Sequence, residues 1–157
     1  MTIEWKDMYS VGDVTIDSQH KKLLENVNKL VIALKSNKGK EVVSEVVSFL
    51  NEYINEHFVY EEEYMIKHKY PDFIIHKKVH DSFIEKFNEF KKELELENLS
   101  ALSLKVQTFL GKWLIDHILK MDHKYYEFIR DNPKSHSRKE GDDFHDKMHI
   151  LSDIKRI

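Results

Sequence analysis

The sequence predicts an all-α fold: an up-down-up-down four-helix bundle with an N-terminal arm and a C-terminal extension. Two observations carry this. Gly and Pro, the residues that interrupt helices, number only four and two in 157 residues rich in Leu, Ile, Lys and Glu. Apolar residues also recur at helical spacing in four long runs joined by short breaks, the pattern of antiparallel neighbours in a bundle. The length suits one domain, large enough to bury its core without staples. Residues 1–132 read as the bundle with its arm, and residues 133–157 as a linker with a short accessory helix.

The first sixteen residues carry Trp5, Met8, Tyr9, Val11 and Ile16 around Gly12. An arm this apolar is expected to pack on the outside of the bundle. The first helix covers 18–36, with Asp17 as N-cap, an inward stripe of His20, Leu23, Leu24, Val27, Leu30, Val31 and Leu34, and Asn37-Lys38-Gly39 as its stop. The second runs from 41 to 67 along Val43, Val46, Leu50, Tyr53, Ile54, His57, Glu61, Tyr64 and Met65, and Tyr70-Pro71 ends it. The third, 72–97, shows His76, Val79, His80, Phe83, Phe87, Phe90 and Leu94. The fourth, 100–131, shows Leu102, Val106, Phe109, Leu110, Trp113, His117, Met121, Tyr125 and Phe128. Beyond Asn132-Pro133 the composition turns polar, and Phe144, Met148 and Leu151 recur at the spacing of a short helix.

Composition excludes several function classes. A formal charge of -3 with interspersed Lys and Glu gives no basic stripe, so neither nucleic acid nor an anionic membrane surface is indicated. No apolar run reaches a membrane span, and Met-Thr-Ile-Glu-Trp lacks the features of a secretory signal, so a cytoplasmic location without membrane insertion is expected. With no cysteine, disulfides, iron–sulfur clusters and thiolate zinc sites are out, and any metal must be held by nitrogen and oxygen.

Seven such donors lie on the inward stripes: His20, His57, Glu61, His76, His80, His117 and Asp122. Residues four apart on a helix differ by about 40° around its axis, so His57 with Glu61, and His76 with His80, can each reach one point. His117 and Asp122 are five apart, about 140° on a regular helix, so they sit at opposite edges of the inward face or across a local π-type bulge, and a distortion between Leu119 and Asp122 is expected. A dry core without a ligand would have to satisfy five imidazoles and two carboxylates, at several kcal/mol for each ion left charged. Seven donors exceed the four of a tetrahedral zinc, whereas two six-coordinate ions sharing carboxylate and solvent bridges use them well, and two irons are the natural choice. The Glu-x-x-His motif of ferritin-like di-iron bundles is absent. Of the other histidines, His68 and His123 read as surface residues, and Glu62 and Glu63 as the outer face of the second helix. Asp142-x-x-His145 and Asp146-x-x-His149 could clip a second metal but also suit a solvated face.

With these residues in place, the chain resembles the hemerythrins, and among them the bacterial single-domain bacteriohemerythrins. The matching stretches are Asp17-Ser-Gln-His20, His57-Phe-Val-Tyr-Glu61-Glu62 with Met65, Tyr70-Pro71 leading to His76-x-x-x-His80, and Trp113-Leu114-x-x-His117-Ile118-x-x-x-Asp122. They span roughly residues 3–131. The resemblance implies a non-haem, oxo- or hydroxo-bridged di-iron centre that binds dioxygen reversibly. It implies that His76, His80 and His117 hold one iron, His20 and His57 the other, and that Glu61 and Asp122 bridge them. It further implies an apolar oxygen pocket of Leu23, Phe58, Trp113, Leu114 and Ile118, whose walls exclude water and protons. Transport, storage or delivery of dioxygen is the role expected. A redox or oxygen sensor acting on a protein partner is an alternative, as is an enzyme consuming peroxide or nitric oxide, although no acid or base beyond the donors is positioned for turnover.

Overall fold

The computed structural model describes residues 2–36, 40–96 and 99–132. All regular structure among them is helical, and it forms the four-helix bundle that the periodicity predicts. Helix α1 (Val14–Lys35), α2 (Lys40–Lys67) and α3 (Phe73–Leu96) are continuous. The fourth rod is broken into α4 (Leu99–Val106), α5 (Lys112–His117) and α6 (His123–Asp131), joined by π-helical segments at Gln107–Gly111 and Ile118–Asp122. Helix α1 packs against α2 and α4, and α2 against α3. No helix among the described residues is long and apolar enough to cross a membrane.

The start of α1 differs from the expectation. Asp13, not Asp17, is the N-cap, its carboxylate accepting from the Thr15 and Ile16 amides at 2.9 and 3.0 Å. Asp17 lies a turn inside and ties down the arm instead, accepting from the Val11 amide at 2.9 Å and from the Ser10 hydroxyl. The β-branched run Val14-Thr15-Ile16 reads as part of the arm, yet Ile16 is fully buried once the helix includes it.

The arm packs on the bundle as its composition requires. The Ile3 amide donates to Asn28 Oδ1, and Asn28 Nδ2 donates back to the Ile3 carbonyl, both at 2.8 Å. Ile3, Trp5 and Val11 all rest against the main core cluster. Gly111 makes room for this: a Cβ there would collide with Ile3 Cδ1.

The α2–α3 turn is built by Lys69, which takes a positive φ of 54°. The Tyr70 amide reaches back to the Met65 carbonyl at 2.9 Å and the Lys69 amide to that of Ile66 at 3.0 Å, the paired bonds of a Schellman ending. Met65 and Tyr70 then share a second apolar cluster with Ile16, Tyr125, Tyr126 and Ile129. His68, expected at the surface, is buried beside the Tyr64 ring in this turn. The expected linker, the expected accessory helix and the Asp/His pairs at 142–149 fall outside the described residues.

Candidate metal centre

Each helix contributes donors at the level where it crosses the core. His20 comes from α1, His57 and Glu61 from α2, His76 and His80 from α3, His117 from the end of α5, and Asp122 from the π segment that follows. All seven are at most 3 % exposed. The break at Ile118–Asp122 falls where the five-residue spacing demands it, because adding a residue to the turn brings His117 and Asp122 to one face. His117 Nε2 and Asp122 Oδ1 are consequently 3.1 Å apart.

The donors form two groups. On one side, His76, His80 and His117 direct their Nε2 atoms at one point, in a triangle of edges 3.1, 3.2 and 3.0 Å. On the other, His20 and His57 face Glu61. The two carboxylates lie between. Asp122 turns Oδ1 toward His76 and His117 at 3.3 and 3.1 Å, and Oδ2 toward His20 at 3.2 Å. Glu61 Oε2 is 3.3 Å from His80 Nε2 and 3.8 Å from His57 Nε2, while its Oε1 accepts from the Tyr125 hydroxyl at 2.8 Å.

This arrangement fits metal ions and little else. His20 Nε2, His57 Nε2, Glu61 Oε2 and both Asp122 oxygens are buried without a hydrogen-bond partner. Three imidazole nitrogens meeting at one point cannot satisfy one another, since a proton on one serves at most one neighbour well. Nitrogens about 2.1 Å from an ion and at right angles stand about 3.0 Å apart, whereas tetrahedral angles spread them to about 3.4 Å. The observed triangle is of the size that one ion held by all three nitrogens requires, and nitrogen with carboxylate oxygen is a donor set suited to iron.

The electrostatics agree. Burial alone would raise Asp122, but His117, His20 and His76 hold its carboxyl well below the usual range. Burial and Asp122 push Glu61 upward, yet His57 and His80 bring it down to about 2. Burial lowers His57 to about 4 and also lowers His117, leaving both neutral and ready to ligate. Burial would lower His80, but it is raised to about 9 because the carboxylates of Glu61 and Glu62 both face it, at 3.3 and 3.1 Å.

Two residues that sequence reasoning missed orient the rings from outside. His57 Nδ1 donates to Gln19 Oε1 at 2.8 Å, and His80 Nδ1 to Glu62 Oε1 at 3.1 Å. Each bond leaves the opposite nitrogen facing inward. Glu62, read from the sequence as outer surface, is half-buried and also paired with Lys77 at 3.2 Å, while Glu63 is exposed as expected. Gln19 is buried beside His20 although it lies off the apolar stripe of its helix. His123 is half-buried rather than on the surface, its Nε2 enclosed without a partner.

Apolar residues close the cluster. Leu23, Phe58, Leu114 and Ile118 are buried in the main core, with Trp113 half-buried against it. Phe58 stacks on His80 with ring centroids 3.8 Å apart, and Trp113 on His117 at 4.5 Å.

Comparison with known proteins gives a consistent result. The family model described as the hemerythrin HHE cation binding domain matches residues 11–129. A bacteriohemerythrin of Stenotrophomonas maltophilia is 32% identical over 126 residues, covering 80% of each chain. One of Clostridium acetobutylicum is 32% identical over 127 residues, covering 78% of this chain and 98% of its own. The crystal structure of a wild-type hemerythrin superposes with a TM-score of 0.71 at 26% identity, covering 81% of this chain and 97% of that one.

Proposed function

This chain belongs to the hemerythrin family, and from that premise we propose that it binds dioxygen reversibly at a non-haem pair of irons, to transport, store or deliver it. The observation that carries this reading is the convergence of seven buried donors in two unequal groups, with five inward atoms making no hydrogen bond. His76, His80 and His117 would hold one iron, and His20 and His57 the other. Asp122, with one oxygen toward each group, and Glu61, with Oε2 between them, would bridge. When bound, the iron pair supplies the electrons that dioxygen takes up on binding and returns on release.

The chain's own residues do the rest. Gln19 and Glu62 fix the rings of His57 and His80 so that Nε2 faces the centre. The group with two imidazoles offers fewer protein donors, and dioxygen is expected on that side. Leu23, Phe58, Trp113, Leu114 and Ile118 would wall the pocket and keep out the water and protons that promote loss of oxygen in reduced form. Burial and the nearby Glu61 charge keep the Tyr125 phenol protonated, its pKa well above the usual range. Binding, with no catalytic residue assigned, is the function proposed.

The test is direct. Metal-free chain is loaded anaerobically with ferrous iron and exposed to air, then to vacuum, while the oxo-to-iron charge-transfer bands are followed. Two irons per chain and bands that appear with air and vanish with vacuum are expected. Absence of the bands, or failure of the deoxy form to return, would overturn reversible binding.

A further inference from the structure

The tyrosines are unevenly placed. Of seven in the chain, Tyr60, Tyr64, Tyr70, Tyr125 and Tyr126 gather in the apolar cluster beside the donors. Four of these make a continuous line. Tyr125 is fully buried and bonded to Glu61 Oε1 at 2.8 Å. Its ring centroid is 4.3 Å from that of Tyr126, which is 5.7 Å from Tyr64, which is 6.2 Å from Tyr60. Tyr64 and Tyr60 are partly exposed. The line therefore runs from a carboxylate of the centre to solvent without an aliphatic gap.

Packing does not require a phenol at the middle of this line. Tyr126 is buried, and its hydroxyl faces that of Tyr125 without making a hydrogen bond of ordinary geometry. Phenylalanine would fill the same space without enclosing an unsatisfied hydroxyl. What a phenol adds to a phenyl ring is the ready loss of one electron together with its proton.

We infer that Tyr125, Tyr126, Tyr64 and Tyr60 form an electron-donating line that discharges oxidising equivalents delivered to the centre by hydrogen peroxide. The inference rests on the dioxygen-binding reading, since bound oxygen lost in reduced form is a source of peroxide at this site. Splitting hydrogen peroxide into two waters consumes two electrons and two protons. Where only one electron is available at the centre, the second leaves the Tyr125 ring. The phenolic proton of Tyr125 passes along its hydrogen bond to Glu61 and is taken up in forming water, and solvent provides the other proton. Electrons from Tyr126, Tyr64 and Tyr60 then move inward in turn, and Tyr125 regains a proton. The vacancy ends on Tyr60 as a neutral phenoxyl radical whose proton has gone to water. A soluble reductant such as ascorbate or a thiol restores it by returning one electron and one proton.

Electron paramagnetic resonance tests this on the full chain, loaded with iron and shown to give the oxygenated spectrum. The part-oxidised protein is mixed with an equimolar amount of hydrogen peroxide and freeze-quenched. A tyrosyl radical is expected, narrowed when ring-deuterated tyrosine is incorporated and quenched by ascorbate. Tyr60→Phe should alter its hyperfine pattern by moving it to Tyr64, and Tyr126→Phe should abolish the ascorbate-accessible signal. Peroxide consumed with no tyrosyl signal, or the same signal in Tyr126→Phe, would overturn the inference while leaving dioxygen binding intact. A chain that takes up no iron would overturn both. Thermal unfolding of metal-free Tyr126→Phe is an independent check. Its midpoint should hold or rise, and a clear fall would show that the hydroxyl is needed for packing.

Discussion

Gln19 and Glu62 allow the two halves of the donor cluster to be probed without touching a donor. Gln19→Leu removes the acceptor of His57 Nδ1 while keeping most of the buried volume. The ring is then free to take the other tautomer, which puts a proton on the Nε2 that must face the metal. Loss of such an outer partner lowers metal affinity by about 10–100-fold, or roughly 1.4–2.7 kcal/mol. Gln19 is 4 % exposed, so water does not replace it readily, and the upper end of that range is expected. Glu62→Ala removes a charge-assisted bond, which is intrinsically the stronger of the two. The Glu62 side chain is 17 % exposed, however, so water can reach the vacated His80 Nδ1, and losing Glu62 also eases release of the His80 proton, so the lower end is expected there. Anaerobic titration of metal-free protein with ferrous iron, against a competing chelator of known affinity, should resolve two binding steps. Gln19→Leu should weaken one and Glu62→Ala the other, with the double variant showing both losses. If both variants weaken the same step, or either leaves both steps unchanged, the division into a three-imidazole and a two-imidazole position is wrong.

Four further outcomes are expected. Leu114→Ala, at a buried site, should cost about 2–5 kcal/mol in stability and speed loss of the oxygenated form by admitting water; an unchanged autoxidation rate removes Leu114 from the pocket wall. Gly111→Ala gains up to about 1 kcal/mol of helix propensity but displaces Ile3 and strains the Asn28 bonds that hold it, so a net loss of about 1–2 kcal/mol is expected. That loss should disappear in an Ile3→Ala background, and denaturant unfolding of the four proteins of the cycle decides it. Metal uptake should weaken about tenfold for each pH unit below about 9, because His80 is held protonated up to that pH and must lose its proton to ligate, whereas Glu61 and His57 are already deprotonated above about 4; calorimetry in buffers of differing ionisation enthalpy would count the proton, and no release near pH 7 refutes the assignment. Removing residues 133–157 should leave iron content and the oxygenated spectrum nearly unchanged, and loss of either would make that extension part of the fold.

What could be read in the sequence depended on whether a signal was periodic. Six of the donors are legible because each sits in phase with aliphatic and aromatic neighbours on its helix, as His76 and His80 do with Phe83, Phe87 and Phe90. The π segment at Ile118–Asp122 was legible for the opposite reason: two inward polar residues five apart are out of phase, and only an added residue in the turn restores them. No such mismatch marks Gln107–Gly111, where both flanking stripes are apolar and either register buries something acceptable; the clue there was Gly111, whose role appears only once Ile3 is seen to occupy its missing side chain. Local signals leave the N-cap ambiguous because Asp13 and Asp17 stand one turn apart, and a choice between them turns on whether Val14-Thr15-Ile16 is helical, which the burial of Ile16 decides rather than local propensity. Gln19 and Glu62 are not legible because they act through Oε atoms reaching rings on other helices, a relation between sequence positions 38 and 18 residues apart that no single-helix pattern records. Periodicity along one helix thus reveals which side chains enter the core, while the tautomer each histidine keeps there is set by partners on neighbouring helices. For a centre whose chemistry depends on which imidazole nitrogen is free, the second kind of information is as consequential as the first.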